Sequence, residues 1–100
     1  MNDKLLSLLG IARRAGRLSL GFDAAEEAIK KGKSRLLILA SDLSERSKNA
    51  IIKTAQLQSI RTIVLDVTMD RLGTAVGKTT GIISVNERGF AEKMKTLCTE

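Results

Sequence analysis

Residues 20–35 read LGFDAAEEAIKKGKSR and mark the point where a short apolar strand passes into an amphipathic helix. Gly21 follows the strand, and a glycine there can adopt a positive φ or let a second backbone approach closely. Asp23 and Glu26 have the spacing of an N-terminal capping box, so the helix is predicted to begin near residues 21–23. Its first N–H groups would face outward, where a ligand can reach them.

The apolar residues of this helix recur on one face. Ala25, Ala28 and Ile29 follow the spacing of a buried stripe, and Lys31 lies beside that stripe. Gly32 suits the position just after a helix C-terminus. The stretch therefore predicts one helix that is buried on one side and open at its N-terminal end.

The composition is that of a small folded protein with a basic surface. The chain has 100 residues, of which 43% are hydrophobic and 28% charged, so we expect a single domain over residues 1–100. A balance of 17 Lys and Arg against 11 Asp and Glu gives a net charge of +6, which favours polyanionic partners such as nucleic acid. Because the aromatic residues are two Phe, modules that stack bases on aromatic platforms are disfavoured.

Cysteine and histidine usage narrows the chemistry. Cys98 is the only cysteine and histidine is absent, which excludes an intramolecular disulfide and a Cys/His metal site. We therefore expect neither a metal nor a cofactor, and a reducing cytoplasm is the simplest location. No apolar run approaches the length of a membrane span, so no membrane partner is expected.

The rest of the chain alternates between helical and extended patterns. The first helix is predicted to start at Asn2 as N-cap and to end at residues 14–16, and Ser44, Thr68 and Asn86 are predicted to cap later helices. Strands are predicted at 18–20, 36–40 (LLILA), 62–65 (TIVL) and 82–85, with the second and third buried. This order favours an α/β sandwich with a largely parallel or mixed sheet.

The stretch GTAVGKTT at 73–80 resembles a phosphate-binding loop without matching it. Three residues separate Gly73 from Gly77 where that motif has four, and a helical pattern precedes the stretch while a strand follows it. Cys98 has no base partner, and the carboxylates form no inward-facing pair. We therefore predict a non-enzymatic protein, with a nucleotide-binding enzyme as the least favoured function.

Basic and acidic residues near the Gly21 turn each admit two interpretations. Arg13, Arg14 and Arg17 cluster beside the turn, where they either complement a helix dipole in solvent or contact phosphate. Asp23 either caps the helix or accepts hydrogen bonds from base amino groups. The sequence leaves both pairs of alternatives open.

Several motifs together resemble a known family. The glycine-opened second helix, LLILASD at 36–42 and the LGxAxGK pattern at 72–78 look like the ribosomal proteins seven-Ae and thirty-e of the large subunit, and in particular their small bacterial homologues. The likeness spans essentially the whole chain and includes ARxAG at 12–16 and GFAxK at 89–93. It implies a three-layer α/β/α sandwich around a four-stranded mixed sheet, which binds kink-turn or related structured RNA without catalysis.

The resemblance also implies a binding surface. In the family, RNA lies against the first turns of the second helix and against the loop before the last strand, here residues 77–81. Lys31, Lys78, Thr79, Thr80, Arg14 and Arg17 are the predicted phosphate contacts. The complete set of predicted RNA-binding residues is Arg14, Arg17, Gly21, Asp23, Ala24, Glu27, Lys31, Gly77, Lys78, Thr79 and Thr80.

The family's recognition motif is altered in this chain. Kink-turn binders carry Gly-x-Asn-Glu followed by a basic residue, whereas this chain has Gly21, Asp23 and Ala24, with Glu27 at the basic place. An ionised aspartate cannot donate, alanine has no polar group, and a glutamate repels phosphate. Two functions therefore stay open. One is a monomeric, ribosomal-type RNA-binding protein of the ribosome or another ribonucleoprotein, and the alternative is a protein-interaction module that has lost kink-turn recognition.

Overall fold

The computed structural model describes residues 3–99 as an alternation of helices and strands. Their order and types agree with the predictions, while Asn2, the predicted N-cap of the first helix, lies outside the described residues. The elements are α1 Asp3–Arg14, β1 Leu18–Leu20, α2 Phe22–Lys30, β2 Leu36–Leu39, α3 Glu45–Leu57, β3 Thr62–Val64, α4 Met69–Val76, β4 Ile82–Val85 and α5 Arg88–Thr99.

The four strands form one mixed sheet in the order β1-β4-β2-β3. β4 runs antiparallel to both of its neighbours, and β2 runs parallel to β3. The two inner strands are buried throughout, and the burial of β2 confirms the prediction from the apolar run LLILA. The prediction of a buried strand at 62–65 is wrong in part, because β3 lies at the edge of the sheet and Val64 is 47% exposed. An apolar run does not reveal which strands pair on either side of it.

Helices cover both faces of the sheet and give the predicted three layers. α1, α4 and α5 pack on one face, and α2 and α3 pack on the other. Alternation along β2 sends Leu36 and Ile38 into the first core cluster and Leu37 and Leu39 into the second. Full burial of each such side chain contributes about 1.5–3 kcal/mol to the transfer free energy, so β2 anchors both layers. No helix of the described chain combines the length and apolarity needed to cross a membrane.

Most helix ends follow the sequence, and α2 begins at Phe22, within the predicted residues 21–23, but its capping differs from the prediction. Ser44 and Thr68 cap α3 and α4 as predicted, with their hydroxyl oxygens accepting from backbone N–H groups three residues on. The capping box predicted at Asp23 is absent: Gly21 is the N-cap of α2, and no side chain caps this end. The chain already turns at Gly21, so Asp23 falls inside the first helical turn.

The start of α5 also differs from the prediction. Glu87 caps this helix, because its Oε1 accepts a hydrogen bond from the Phe90 N–H at 2.7 Å. Asn86, the predicted cap, instead hydrogen-bonds through Oδ1 to the Ser84 hydroxyl at 2.6 Å and through Nδ2 to Ser19 at 2.8 Å. The Ser84 hydroxyl is fully buried and needs a partner, and Asn86 supplies it.

Candidate nucleic-acid interface

The turn at Gly21 is tied directly to β4. The Gly21 N–H donates to the Ile82 carbonyl oxygen at 2.9 Å, one residue beyond the last β1–β4 pair, Leu20 with Ile83. Gly21 has φ 91° and ψ 167°, a region that is essentially restricted to glycine. Its carbonyl oxygen accepts from the Ala25 N–H at 3.0 Å, which begins α2. A single residue thus ends β1, opens α2 and contacts the start of β4.

The loop at 77–81 lies along the backbone of α4. Gly77 is left-handed, with φ 82°, and ends the helix. The N–H groups of Gly77 and Lys78 both donate to the Gly73 carbonyl oxygen, at 2.7 and 3.0 Å. A Cβ on Gly73 would lie 2.6 Å from the Cα of Thr79, closer than real contacts allow. Gly73 therefore permits the loop to fold back on the helix.

The far end of the loop is held at the same end of the sheet as Gly21, where β1 and β2 finish and β4 starts. The Gly81 carbonyl oxygen accepts from the Ala40 N–H at 2.9 Å, at the end of β2. A Cβ on Gly81 would lie 2.8 Å from the Met69 Sδ and 2.9 Å from the Leu43 Cδ1, so this glycine is tightly enclosed. Asp42 Oδ1 accepts from the Met69 N–H at 2.8 Å and fixes the start of α4 there.

These supporting residues escaped the sequence predictions. Asp42 comes just after the apolar strand, a position where a polar residue is expected. No local pattern indicates that its side chain accepts a hydrogen bond from Met69, 27 residues further along the chain. Leu43 is half-buried against the second core cluster and reads as one more apolar residue. Only the tertiary contacts show that they support the loop.

The predicted contacts differ in how open they are. Lys78 and Thr79 are exposed, and Lys78 forms no ion pair within the described part of the chain. Lys31 is exposed but its Nζ lies 3.4 Å from the Glu27 Oε1. Thr80 is buried, and its hydroxyl donates to the Ile82 carbonyl oxygen at 3.0 Å. Of the two lysines among these predicted contacts, Lys78 is therefore the more available.

The α2 side of the surface is sparse in donors. Asp23 and Ala24 are both exposed on the first turn of α2. The helix has no side-chain cap, so the N–H groups of its first turn lack a side-chain acceptor. The first turn therefore offers backbone donors and one carboxylate acceptor, and its positive end favours an anionic or electron-rich ligand group.

The arginines predicted to cluster beside the Gly21 turn lie elsewhere. The Arg17 carbonyl oxygen accepts from the Asn86 N–H at 2.8 Å, at the opposite end of the β1–β4 ladder from Gly21. Arg14 lines a separate concavity between α1 and α4, together with Arg71. The intervening strand is extended, at about 3.3 Å per residue, so nearness in sequence does not become nearness in space.

The described residues show no catalytic arrangement. Among them, no group of three His, Cys, Asp or Glu residues could hold a metal ion. Burial raises the pKa of the Cys98 thiol, opposed by the nearby Arg61 guanidinium, and a protonated thiol is a poor nucleophile. The loop at 77–81 follows α4 and precedes β4, the reverse of the context of a phosphate-binding loop.

Sequence comparison identifies relatives over nearly the whole chain. The model of the ribosomal protein L7Ae/L30e/S12e/Gadd45 family matches residues 3–95. Large ribosomal subunit protein eL30 from Saccharomyces cerevisiae is 29% identical over 91 residues, which cover 89% of this chain and 87% of that protein. RNA-binding protein YlxQ from Enterococcus faecium is 27% identical over 95 residues, which cover 95% of this chain and 91% of that protein. These names support the expectation of a non-enzymatic protein.

Structural comparison gives the same result. A protein with unknown function from Bacillus halodurans C has a TM-score of 0.90 and 33% sequence identity, covering 95% of this chain and 96% of that one. The Giardia lamblia 15.5kD RNA binding protein shares the fold with a TM-score of 0.77 at 18% identity, covering 96% of this chain and 88% of that one. With the family model matched from residue 3 to residue 95, the chain belongs to the ribosomal protein L7Ae/L30e/S12e/Gadd45 family.

Proposed function

We propose that this chain is a ribosomal-type RNA-binding protein that recognises structured, kink-turn-like RNA and catalyses no reaction. The observation that carries the proposal is the hydrogen bond from Gly21 to Ile82, because it joins the open start of α2 to the residue that follows the loop at 77–81. These are the two segments against which RNA lies in the family that the sequence resembles. Membership of that family makes RNA the favoured polyanion for a chain with a net charge of +6.

Each part of the proposed surface has a distinct task. The first N–H groups of α2 donate to phosphate or base oxygens, since the helix end is uncapped by a side chain. Asp23 accepts from base amino groups, a contact that contributes specificity rather than affinity. Lys78 contacts backbone phosphate, and Gly77, which has no side chain, lets the RNA backbone approach the loop closely.

The ion pair between Glu27 and Lys31 reduces the electrostatic contribution of α2. Both side chains are more than half exposed, so the pair itself adds little stability, on the order of 0.3–0.5 kcal/mol. The effect of Glu27 on RNA affinity is larger, because its carboxylate occupies the position at which the family's pattern has a cation. We infer that affinity depends mainly on the loop and the backbone donors, with a weaker contribution from α2 side chains.

The relatives also support a setting for this function. We propose that residues 1–100 act as one RNA-binding domain, monomeric and cytoplasmic, within the ribosome or another ribonucleoprotein. The similarity to eL30, a large ribosomal subunit protein, supports the ribosome. The similarity to the bacterial RNA-binding protein YlxQ supports a bacterial type of the family.

A second candidate function is a protein-interaction module on the same fold. It is favoured by the replacement of the family's recognition residues with Asp23, Ala24 and Glu27, all of which are exposed. A surface with one aspartate, one alanine and one glutamate presents few donors to RNA. This candidate predicts that binding to RNA is weak and does not depend on RNA shape.

The two candidates are separated by measuring binding to a kink-turn RNA and to a plain duplex of equal length across a salt series. The wild-type chain is compared with Lys78→Gln and with the control Lys53→Gln, which removes the same charge from the exposed side of α3. Recognition of RNA predicts a preference for the kink-turn, and a loss in Lys78→Gln of about 0.7–0.9 in the salt slope that the control does not show. Equal, weak binding to both RNAs would favour the protein-interaction module.

A further inference from the structure

A row of polar and basic residues crosses three strands at the end of the sheet opposite Gly21. The Arg17 carbonyl oxygen accepts from the Asn86 N–H at 2.8 Å, and the Arg35 N–H donates to the Val85 carbonyl oxygen at 2.7 Å. β1 and β2 flank β4 with Leu18 and Leu36 both opposite Val85. Arg17 and Arg35 are the next residues outward on each strand, so they lie on either side of Asn86, about 10 Å apart at two strand spacings.

Strand alternation places this row on the α2 side of the sheet. Leu37 belongs to the core cluster beneath α2, and it pairs with Ser84. Arg35 and Asn86 are two residues from Leu37 and Ser84, and side chains two residues apart on a strand share a face. Arg17 stands in the same relation to Ser19, which pairs with Ser84 from the other side.

The row lines a concavity between α2 and β1, which we call the Arg17–Arg35 cleft. Its volume is about 550 Å³. Asn86 and Ser19 lie in its floor, linked by a 2.8 Å hydrogen bond that uses one of the two amide hydrogens of Asn86. The lining residues are Gly16, Arg17, Leu18, Ser19, Ala24, Glu27, Ala28, Gly32, Lys33, Arg35 and Asn86.

The cleft carries uncompensated positive charge. Arg17, Lys33 and Arg35 are exposed, and none of them forms an ion pair within the described residues. Among the described residues, Glu27 is the one carboxylate in the lining, and its Oε1 lies 3.4 Å from the Lys31 Nζ. Three cations with one carboxylate, which is itself paired, make the cleft attractive to an anion.

We propose that the Arg17–Arg35 cleft binds a phosphate group of the RNA backbone, outside the surface formed by Gly21 and the loop at 77–81. The guanidinium fork matches phosphate oxygens in a bidentate geometry, and Asn86 supplies an additional donor in the floor. Ala24 and Glu27 line the cleft and also belong to the predicted RNA surface, so the two regions are continuous along α2. The inference rests on the proposed function, because it takes RNA as the source of the phosphate.

The test compares two charge-matched double variants across a salt series of about 50–200 mM. Arg17→Gln/Arg35→Gln removes two charges from the cleft, and Arg46→Gln/Lys53→Gln removes two from exposed positions on α3. Binding of the kink-turn RNA and of the equal-length duplex is measured by fluorescence anisotropy. We expect the cleft variant to bind both RNAs about tenfold more weakly and to lose about 0.7–0.9 from the salt slope, as the loss of one phosphate contact requires.

Equal affinities and equal slopes in the two double variants would overturn the phosphate site. The proposed function is tested separately by the ratio of kink-turn to duplex affinity in the wild-type chain. A ratio of one would contradict kink-turn recognition, while the salt slopes would still test whether the cleft binds phosphate. A second arm titrates the wild-type chain and the cleft variant with adenosine monophosphate and follows the amide signals of Ser19 and Asn86. Shifts that disappear in the cleft variant would support a phosphate site open to free nucleotides as well as RNA. Their absence, together with the slope loss, would support the RNA backbone alone.

Discussion

The Gly21 amide nitrogen lies 2.9 Å from the Ile82 carbonyl oxygen, and this bond continues the β1–β4 ladder into the first residue of the turn. It places the start of α2 beside the end of the loop at 77–81 before any ligand is present. A surface that is already assembled loses less conformational entropy on binding than one that must order itself. The proposed RNA surface is therefore built into the sheet rather than carried by mobile segments.

The first prediction concerns the backbone of Gly21. Gly21→Ala is expected to lower the free energy of unfolding by about 1–3 kcal/mol, because φ 91° with ψ 167° is essentially closed to other residues. The control is Gly32→Ala, since Gly32 also has a positive φ, 75°, and a Cβ on either residue meets no atom within 4 Å. Both variants should be less stable in urea denaturation, but only Gly21→Ala should weaken RNA binding at a temperature where both are folded. Wild-type RNA affinity in Gly21→Ala would contradict the proposed role of this turn.

The second prediction concerns the contact between α4 and the loop. Gly73→Ala would place a Cβ 2.6 Å from the Thr79 Cα, so either the loop shifts or the fold is destabilised by about 1–3 kcal/mol. The neighbouring Thr74→Ala is the control, because Thr74 is exposed and its hydroxyl donates to the Asp70 carbonyl oxygen of the same helix. Thermal unfolding should separate the two variants by several degrees. Equal melting temperatures with unchanged amide spectra around residue 79 would rule out the tight contact.

The third prediction concerns the charge on α2. Glu27→Lys removes the 3.4 Å ion pair with Lys31 and restores a cation where the family's pattern has one. RNA affinity should rise about tenfold and the salt slope by about 0.7–0.9, at a cost of a few tenths of a kcal/mol in helix stability. Glu92→Lys is the control: it makes the same charge change and breaks the 3.8 Å pair with Lys95 on α5. If both variants gain RNA affinity equally, the gain would come from net charge alone, and the predicted role of position 27 would be contradicted.

The fourth prediction concerns the polar chain beneath α2. The Ser84 hydroxyl lies 2.8 Å from the Ser34 hydroxyl and 2.6 Å from the Asn86 Oδ1, and both serines are buried. Since Oδ1 only accepts, Ser84 donates to it and receives its own hydrogen bond from Ser34. Asn86→Ala removes this acceptor, so that Ser34 is the hydrogen-bond partner that Ser84 retains among the described residues, and the variant should lose about 0.5–1.5 kcal/mol of stability.

A matched control for this variant is Asn49→Ala on the exposed side of α3. It removes the same side-chain atoms from a solvated helix position, where alanine has the higher helix propensity, so stability should stay equal or rise slightly. Urea denaturation midpoints of the two variants give the comparison. An Asn86→Ala midpoint as high as that of Asn49→Ala would show that the buried chain contributes nothing.

The fifth prediction concerns the reactivity of Cys98. Burial raises the pKa of this thiol above its ordinary value of 9.0, while the nearby Arg61 acts in the opposite direction. The thiolate is the reactive form, so alkylation by iodoacetamide at neutral pH should be slower in the native chain than in urea. The rate should climb as the pH passes 9, and stability should fall there, because the unfolded thiol ionises first. Arg61→Gln should slow alkylation further, and a faster rate would contradict the assignment.

Local patterns predicted most elements and several of their ends. Local hydrogen bonds confirm the predicted helix caps at Ser44, Thr68 and Gly32. The two hydroxyls accept from N–H groups three residues on, and the Gly32 N–H donates to a carbonyl oxygen three residues back. Gly32 donates to the Ile29 carbonyl oxygen, and the next N–H bonds to Ala28, which is the Schellman pattern. The prediction that Asn86 caps α5 failed because its side chain hydrogen-bonds to the buried Ser84 and to Ser19, which is 67 residues away in the chain.

By itself, the sequence determined the alternation of helices and strands, the buried β2, the Gly21 turn and the family, because periodicity, capping and glycine placement are properties of neighbouring residues. The tertiary structure alone decided which segments meet. It brought Gly21 to Ile82, placed Arg17 at the far end of the ladder across Asn86 from Arg35, and left β3 at an edge of the sheet. Strand order and register arise from the packing of side chains far apart in the chain, and no local pattern encodes them.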